Sequence, residues 1–284
     1  MKKPVFLIFV IILCMFLGAC DAANYKKAEA LFAEGNYSAA LPLYTALGEY
    51  EDAHERAAQC EREIGMTENA DYHFLEDIEL SVTTRNQMVN RGDSELTYLS
   101  AELAILEDYY NAEFYDSALE ALAKMYIDGV REQKDALDLK YSEFQIKWHS
   151  GLVNRYQALC KLHSDFGIFE DDVTFKSTYV AQLSYHENQL AGLRAIESDL
   201  IQQLDGIPFT NKSSYQMTAP YTNNTEYDFS IQFYFTFYNK NGVRVDESTT
   251  YFSNIKSGDN CTLEFWRPSN WSTCEFFWDI YDIK

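Results

Sequence analysis

The side chains that could act as nucleophiles, acid–base groups or metal ligands are scattered along this chain. His149 and His163 share one helical stripe but lie about four turns apart, too far to bind one metal ion. Acidic pairs such as Glu76-Asp77 are typical of a solvated helix face. Glycine-rich phosphate loops and the serine- and zinc-hydrolase motifs are missing. We therefore predict no catalytic residue, no metal site and no cofactor, so the chain is not expected to be an enzyme.

The first twenty residues have the three parts of an export signal. Lys2 and Lys3 precede an apolar stretch of about a dozen residues, which is too short to span a membrane. The tetrad Leu17-Gly18-Ala19-Cys20 that follows resembles the lipobox of bacterial lipoproteins. This resemblance implies that the Cys20 thiol is lipidated and that residues 1–19 are removed. Acyl chains, palmitate among them, would then hold the protein in the lipid bilayer on the extracytoplasmic face of the cell membrane.

Four further cysteines remain in the predicted mature chain. Cys60 and Cys160 fall in helical patterns, and we interpret them as buried thiols. Cys261 and Cys274 lie at inward-facing parity on consecutive predicted strands. Because disulfides persist outside the cytoplasm, a bridge between these two is one alternative and a pair of free thiols is the other.

The chain is strongly acidic. Its 23 Lys and Arg residues against 44 Asp and Glu residues give a formal net charge of -21. Such a charge repels phosphate backbones, so we expect no nucleic-acid partner. The hydrophobic content of 47% and the aromatic content of 15% favour folded cores over disorder.

Residues 20–68 have the spacing of paired helices. Gly35 separates two helical patterns, and Tyr37, Ala40 and Tyr44 follow along the second one. This order of residues resembles the tetratricopeptide repeat, which implies antiparallel helix pairs that bind protein partners. The resemblance covers about one and a half units, whereas a free-standing array usually needs about three. We predict tetratricopeptide-like helices in this segment.

Residues 69–206 carry longer helical stripes, which we interpret as a helical bundle or coiled coil. One stripe alternates three- and four-residue spacing, and it then resumes with interruptions at Gly129 and Gly151. Core packing is the preferred interpretation of these aromatic and leucine positions, with a ligand groove as the alternative. The first part of the stripe consists of Leu96, Leu99, Leu103, Leu106 and Tyr110.

Residues 207–284 change to a period of two, which is typical of strands. The segment Phe235-Thr236-Phe237-Tyr238-Asn239 resembles the F-x-L-Y-D motif of a bacterial envelope domain, although Phe237 and Asn239 replace its leucine and aspartate. The resemblance implies a small immunoglobulin-like β-sandwich without catalytic residues. The predicted fold class is therefore multidomain, with helices first and a β-sandwich last.

Trp271 lies in a polar loop whose neighbours offer it nothing to pack on. An exposed tryptophan can bind a protein or stack on a sugar, so we predict a binding role for it. The alternative is a ring folded over the edge of the sandwich.

These patterns together predict an envelope lipoprotein that acts as a protein-interaction or scaffold module, with envelope proteins as its partners. A module that binds a small molecule or glycan is the alternative, and an aromatic-rimmed cleft in the β domain would favour it. An unrecognised hydrolase would instead need acids or histidines clustered in one pocket.

We expect lipid attachment to depend on one thiol. Cys20→Ala should leave an unprocessed, unlipidated precursor, because no other cysteine follows a lipobox. Cys14→Ala is the matched control and should change nothing, since Cys14 leaves with the signal. Intact mass and detergent partitioning measure both variants, and a mature wild-type mass without acyl groups would contradict the prediction.

Overall fold

The computed structural model describes residues 21–169, 175–204 and 210–284. Cys20, the export signal and the predicted boundary at residues 206 and 207 lie outside these ranges. Helices come first along the described chain and β-strands come last, which confirms the predicted fold class. None of the described helices has both the length and the apolar character needed to cross a membrane.

The described helices are α1 (residues 21–33), α2 (Tyr37–Leu47), α3 (Ala53–Glu68), α4 (Asp71–Arg91), α5 (Glu95–Leu106), α6 (Ser117–Ala136), α7 (Tyr141–Phe166) and α8 (Ala181–Leu204). A short 3-10 helix follows α5, and a π-helical turn precedes α8. The strands are β1 (Thr210–Ser213), β2 (Gln216–Thr222), β3 (Phe229–Tyr238), β4 (Arg244–Ile255), β5 (Asn260–Trp266) and β6 (Thr273–Tyr281).

The chain divides into two compact units. One comprises Met1–Asp77 with Asp108–Ala121, and the other comprises Ile78–Glu107 with Leu122–Lys284. Helices α4 and α6 each contribute residues to both units. The predicted segments 20–68, 69–206 and 207–284 stay predictions.

Small side chains let α1, α2 and α3 pack closely in the first unit. Ala28, Ala40 and Ala53 are fully buried around the ring of Tyr44. The hydroxyl of Tyr44 donates a hydrogen bond of 2.5 Å to Glu29. Between α1 and α2, Gly35 has a φ of 74°, a conformation that a side chain would strain.

Two glycines set the distance between α6 and α7 in the second unit. Gly129 and Gly151 lie inside these helices and do not interrupt them, contrary to the sequence-based expectation. A Cβ atom on Gly151 would lie 2.5 Å from the carbonyl oxygen of Gly129, so only glycine permits this approach. The stripe breaks instead at the turn between Ala136 and Tyr141.

A buried charged network lies beside this helix crossing. The guanidinium of Arg155 donates to Glu102 at 2.6 Å and to the Tyr126 hydroxyl at 3.0 Å, and it also donates to Gln133. All four side chains are essentially inaccessible to water. Burial raises the pKa of Tyr126, so its phenol stays protonated and donates to Glu102 at 2.8 Å. The network joins α5, α6 and α7.

The strands form two antiparallel three-stranded sheets, ordered β1-β2-β5 and β4-β3-β6. The sheets face each other, because Phe233 and Phe235 of β3 lie 5.1 and 4.7 Å from Phe265 of β5, measured between ring centroids. Inward residues of β3 alternate with half-buried ones, as a period of two predicts. The β region is thus two packed sheets with an aromatic core.

Helix α8 completes the hydrophobic core of the two sheets. Leu193, Ile196, Leu200 and Leu204 belong to the same buried cluster as the inward side chains of β2, β3, β5 and β6. The carboxylate of Asp199 also accepts a hydrogen bond of 2.8 Å from a tyrosine of β2. The predicted boundary at residue 206 stays a prediction, but this shared core argues against independent folding of residues 207–284.

We expect the sandwich and α8 to unfold together. Leu200→Ala should lower the free energy of unfolding by about 2–5 kcal/mol, because Leu200 is fully buried in the shared core. Ile201→Ala is the matched control, since its neighbour Ile201 is 47% exposed and should change stability by less than about 1 kcal/mol. Denaturant unfolding followed by tryptophan fluorescence and by helical circular dichroism measures both. Two separate transitions would contradict a shared core.

Candidate functional site

A cleft in the second unit lies along the edge of β6. It has a volume of about 590 Å³ and opens between the start of α7 and the end of α8. Residues 138–143 form one side, Glu197 and Ile201 form the other, and Phe276, Phe277 and Trp278 form the floor. A neighbouring hollow extends the floor to Cys274.

Aromatic rings form the rim of the cleft. Tyr141 stacks on Phe277 with ring centroids 5.1 Å apart and planes 5° from parallel, and it lies 4.8 Å from Tyr234. Apolar surface in the cleft is open to solvent, because Ile201 on the α8 side and Phe277 on the Tyr141 side are each about half exposed. An aromatic-rimmed cleft in the β domain is the feature that would favour the small-molecule or glycan alternative, whereas this cleft is bounded by helices α7 and α8 as well as by β6.

Tyr141 also has an unusual backbone. Its φ of 58° lies in the left-handed region, which bulky residues other than glycine rarely adopt. Such conformations cluster at functional sites, where the surrounding structure holds them in place. The stacked contact with Phe277 is one such restraint on Tyr141.

The cleft carries a negative charge. Asp138, Glu143 and Glu197 line it together with a single cation, Lys140. No ion pair joins these four side chains to other residues in the described part of the chain. The indole Nε1 of Trp278 is buried and has no hydrogen-bond partner in the same part of the chain. The cleft can therefore offer carboxylates to a cation, whereas the buried indole N–H is not accessible to a ligand.

Gln145 of α7 binds the backbone of β6 like a neighbouring strand. Its side-chain Nε2 donates to the carbonyl oxygen of Ile280 at 2.8 Å, and its Oε1 accepts from the Ile280 N–H at 3.0 Å. The pair of hydrogen bonds fixes the start of α7 against the end of β6. It also marks the limit of the cleft along that strand.

The structure places Trp271 away from this cleft. Its ring packs edge-on against Phe237 at 5.8 Å between centroids, and the guanidinium carbon of Arg267 lies 5.5 Å from its ring centroid. Trp271 is half-buried at the margin of the shared core. Trp271 therefore packs on side chains that are not its neighbours in sequence. This packing favours the alternative in which its ring folds over the edge of the sandwich.

Cys261 and Cys274 are free thiols in the structure, which corresponds to the second of the two alternatives given for this pair. They lie on different sheets, Cys261 opposite Tyr221 and Cys274 opposite Phe237. Tyr221 contacts Phe229, and Phe229 is about 26 Å from Phe237 along β3 at the usual strand rise. A disulfide needs Cα atoms within about 7 Å, which this placement at opposite ends does not allow.

A histidine pair is the other group of chemical interest in the second unit. The Nδ1 atoms of His149 and His186 lie 2.9 Å apart, and Tyr156 stacks on His186. Burial and then the nearby charge of His149 and Arg85 lower the pKa of His186 from 6.5 to about 4. Burial also lowers the pKa of His149. Both rings are therefore neutral near pH 7, which suits one imidazole donating to the other.

The sequence analysis missed the cleft because its parts come from three distant segments. The only local signal was the aromatic run Phe276-Phe277-Trp278. Among the described residues, no three His, Cys, Asp or Glu side chains lie close enough to hold a metal ion. No protein-family model, curated protein or solved structure matches this chain.

We expect the histidine pair to make stability depend on pH. The pKa of His186 is lower in the folded than in the unfolded chain, so the unfolded chain takes up the proton first as pH falls. The contribution of neutral His186 to the free energy of unfolding is complete above pH 6.5 and decreases as the pH falls toward 4. At about 1.4 kcal/mol per pKa unit, this decrease amounts to up to about 3 kcal/mol. His186→Gln should weaken this dependence, and His73→Gln, at an exposed position, should not. The prediction would be contradicted if the free energy of unfolding changed with pH in the same way in the wild type, His186→Gln and His73→Gln between pH 6.5 and 4.

Proposed function

We propose that the chain is a bacterial envelope lipoprotein that binds a protein partner in the β6 cleft, on the extracytoplasmic face of the cell membrane. The lipidated Cys20 provides the anchor, and the helices and the sandwich provide a scaffold. The observation that carries this proposal is the cleft itself, which combines stacked aromatic rings with carboxylates that have no ion-pair partner among the described residues.

The architecture supports an interaction role. The paired helices α1 and α2, with Gly35 at their turn, are consistent with a tetratricopeptide-like unit. The strand orders β1-β2-β5 and β4-β3-β6 suit an immunoglobulin-like sandwich, with β6 as an outer strand among the described strands. Both resemblances are to modules that bind other proteins or present binding surfaces.

The negative charge of the cleft favours binding of a protein partner over contact with the membrane surface. Anionic lipid headgroups repel an acidic body, so the cleft is not expected to lie against the bilayer that holds the anchor. The same carboxylates attract lysine and arginine side chains of a protein partner.

A glycan or small molecule is the second candidate ligand. The parallel stacking of Tyr141 on Phe277 favours it, because flat aromatic surfaces also bind sugar rings. Carboxylates at the rim could accept hydrogen bonds from its hydroxyl groups.

We expect partner capture to depend on Phe277. Phe277→Ala should weaken binding by about 2 kcal/mol, roughly 30-fold, because an aromatic anchor at the cleft floor is removed. Tyr251→Ala is the matched control, since Tyr251 is equally exposed but lies on β4 outside the cleft. Quantitative pull-down of the crosslinked native lipoprotein compares the two variants, with thermal melting as the check on folding. Equal recovery of every partner with both variants would contradict a role for the cleft.

A further inference from the structure

The backbone of β6 offers hydrogen-bonding groups along the cleft floor. β6 is the outer strand of the sheet β4-β3-β6. Both hydrogen bonds from Gln145 reach the N–H and C=O of Ile280, which shows that these groups face away from β3. In an antiparallel pair this direction repeats at every second residue. Trp278 and Cys274 therefore direct their N–H and C=O groups toward the same side.

These backbone groups are available to a ligand. Within the described ranges, the N–H and C=O of Trp278 and Cys274 have no hydrogen-bond partner on that side, and both residues line the cleft or its extension. These two pairing positions lie about 13 Å apart at the usual strand rise, which is the length of about four residues of an extended segment. Gln145 supplies the pairing at Ile280 that a longer neighbouring strand would supply.

We infer that this edge of β6 accepts an extended, basic segment of a protein partner as an additional strand. The inference rests on the proposed function and adds the mode of binding and the chemistry of the segment. Strand addition takes affinity from main-chain hydrogen bonds and specificity from alternate side chains. It is a common use of an exposed sheet edge.

The walls of the cleft define the pattern of such a segment. Successive side chains of a strand point to opposite faces. One set would face Ile201 on the α8 side, where an apolar residue fits. The other set would face Tyr141 and the carboxylates of Asp138 and Glu143, where lysine or arginine fits. The expected sequence therefore alternates apolar and basic residues.

Charge argues against a second copy of this chain as the occupant. The chain has a formal net charge of -21, and the cleft itself has three carboxylates against one lysine. Two acidic edges would repel each other, whereas a basic segment is attracted. An exposed edge also invites aggregation unless something limits access to it.

The test uses the mature protein and an eight-residue probe of alternating valine and lysine. Two N-methylated probes carry their methyl groups on opposite edges of the peptide, so only one of them blocks main-chain bonds to β6. We expect the unmodified probe to bind and one methylated probe to lose at least about tenfold in affinity, while the other changes little. A probe with glutamate in place of lysine should not bind measurably.

Amide hydrogen exchange reports directly on main-chain hydrogen bonds between the probe and β6. The N–H groups of Trp278 and Cys274 should exchange more slowly when the probe is bound. Ile201→Arg should abolish binding, because it adds a cation to an apolar wall, and its exposed position keeps the fold intact. A bound probe with unchanged exchange at both amides, or equal affinities of the two methylated probes, would overturn strand addition.

The outcomes also separate this inference from the proposed function. Partner capture that depends on Phe277 together with failure of the methylation test would overturn strand addition and leave the cleft as a binding site. Binding of the glutamate probe as well as the lysine probe would overturn the basic character of the segment. Dimers of the mature protein that Ile201→Arg disrupts would identify a second copy as the occupant and overturn the inference.

Discussion

The shared hydrophobic core of α8 and the two sheets is the constraint on which the second unit depends. The sheets have fully buried aromatic rings between them, and α8 supplies the leucines that close one side of this core. Burial of each such side chain contributes about 1.5–3 kcal/mol. Separating α8 from the sheets would expose these side chains to water, and much of that stabilisation would be lost. Two positions that flank the buried face of the same helix, Glu197 and Ile201, then lie at the cleft. One amphipathic helix therefore stabilises the sandwich and forms one wall of the candidate site.

The other wall depends on how α7 is held. Gly129 and Gly151 bring α6 and α7 close together, and the Arg155 network fixes both against α5. Removing one partner of a buried ion pair typically costs about 3–5 kcal/mol, because the other charge stays buried without compensation. Such a rigid crossing leaves the start of α7 little freedom. Tyr141 and Gln145 consequently meet β6 in a defined geometry.

The charge of the protein and the chemistry of the site are consistent with each other. With the proposed lipid anchor, anionic headgroups would repel the acidic body, and the carboxylates of the cleft would attract cations. At physiological ionic strength, charges are screened beyond about 8 Å, so only carboxylates that line the cleft influence a bound side chain strongly. Aromatic rings beside those carboxylates add cation–π attraction to the electrostatic term.

The sequence determined the order of the elements and much of their burial. A period of two places Ile231, Phe233 and Phe235 on one face of β3 whatever the strand packs on, and the structure has all three buried. Small residues at Ala40 and Ala53 likewise predict close helix packing. These features are local, because each follows from the spacing of side chains along a single element.

Only the tertiary structure decided which elements meet. Cys261 and Cys274 share the same inward parity, but parity does not say which sheet a strand joins or at which end a residue lies. Trp271 has polar neighbours along the chain, yet Phe237 reaches it from another strand. The cleft joins the turn before α7, the end of α8 and the edge of β6, which are far apart in sequence. Contacts of this kind depend on how whole elements pack against one another. The spacing of residues within one element therefore does not predict them.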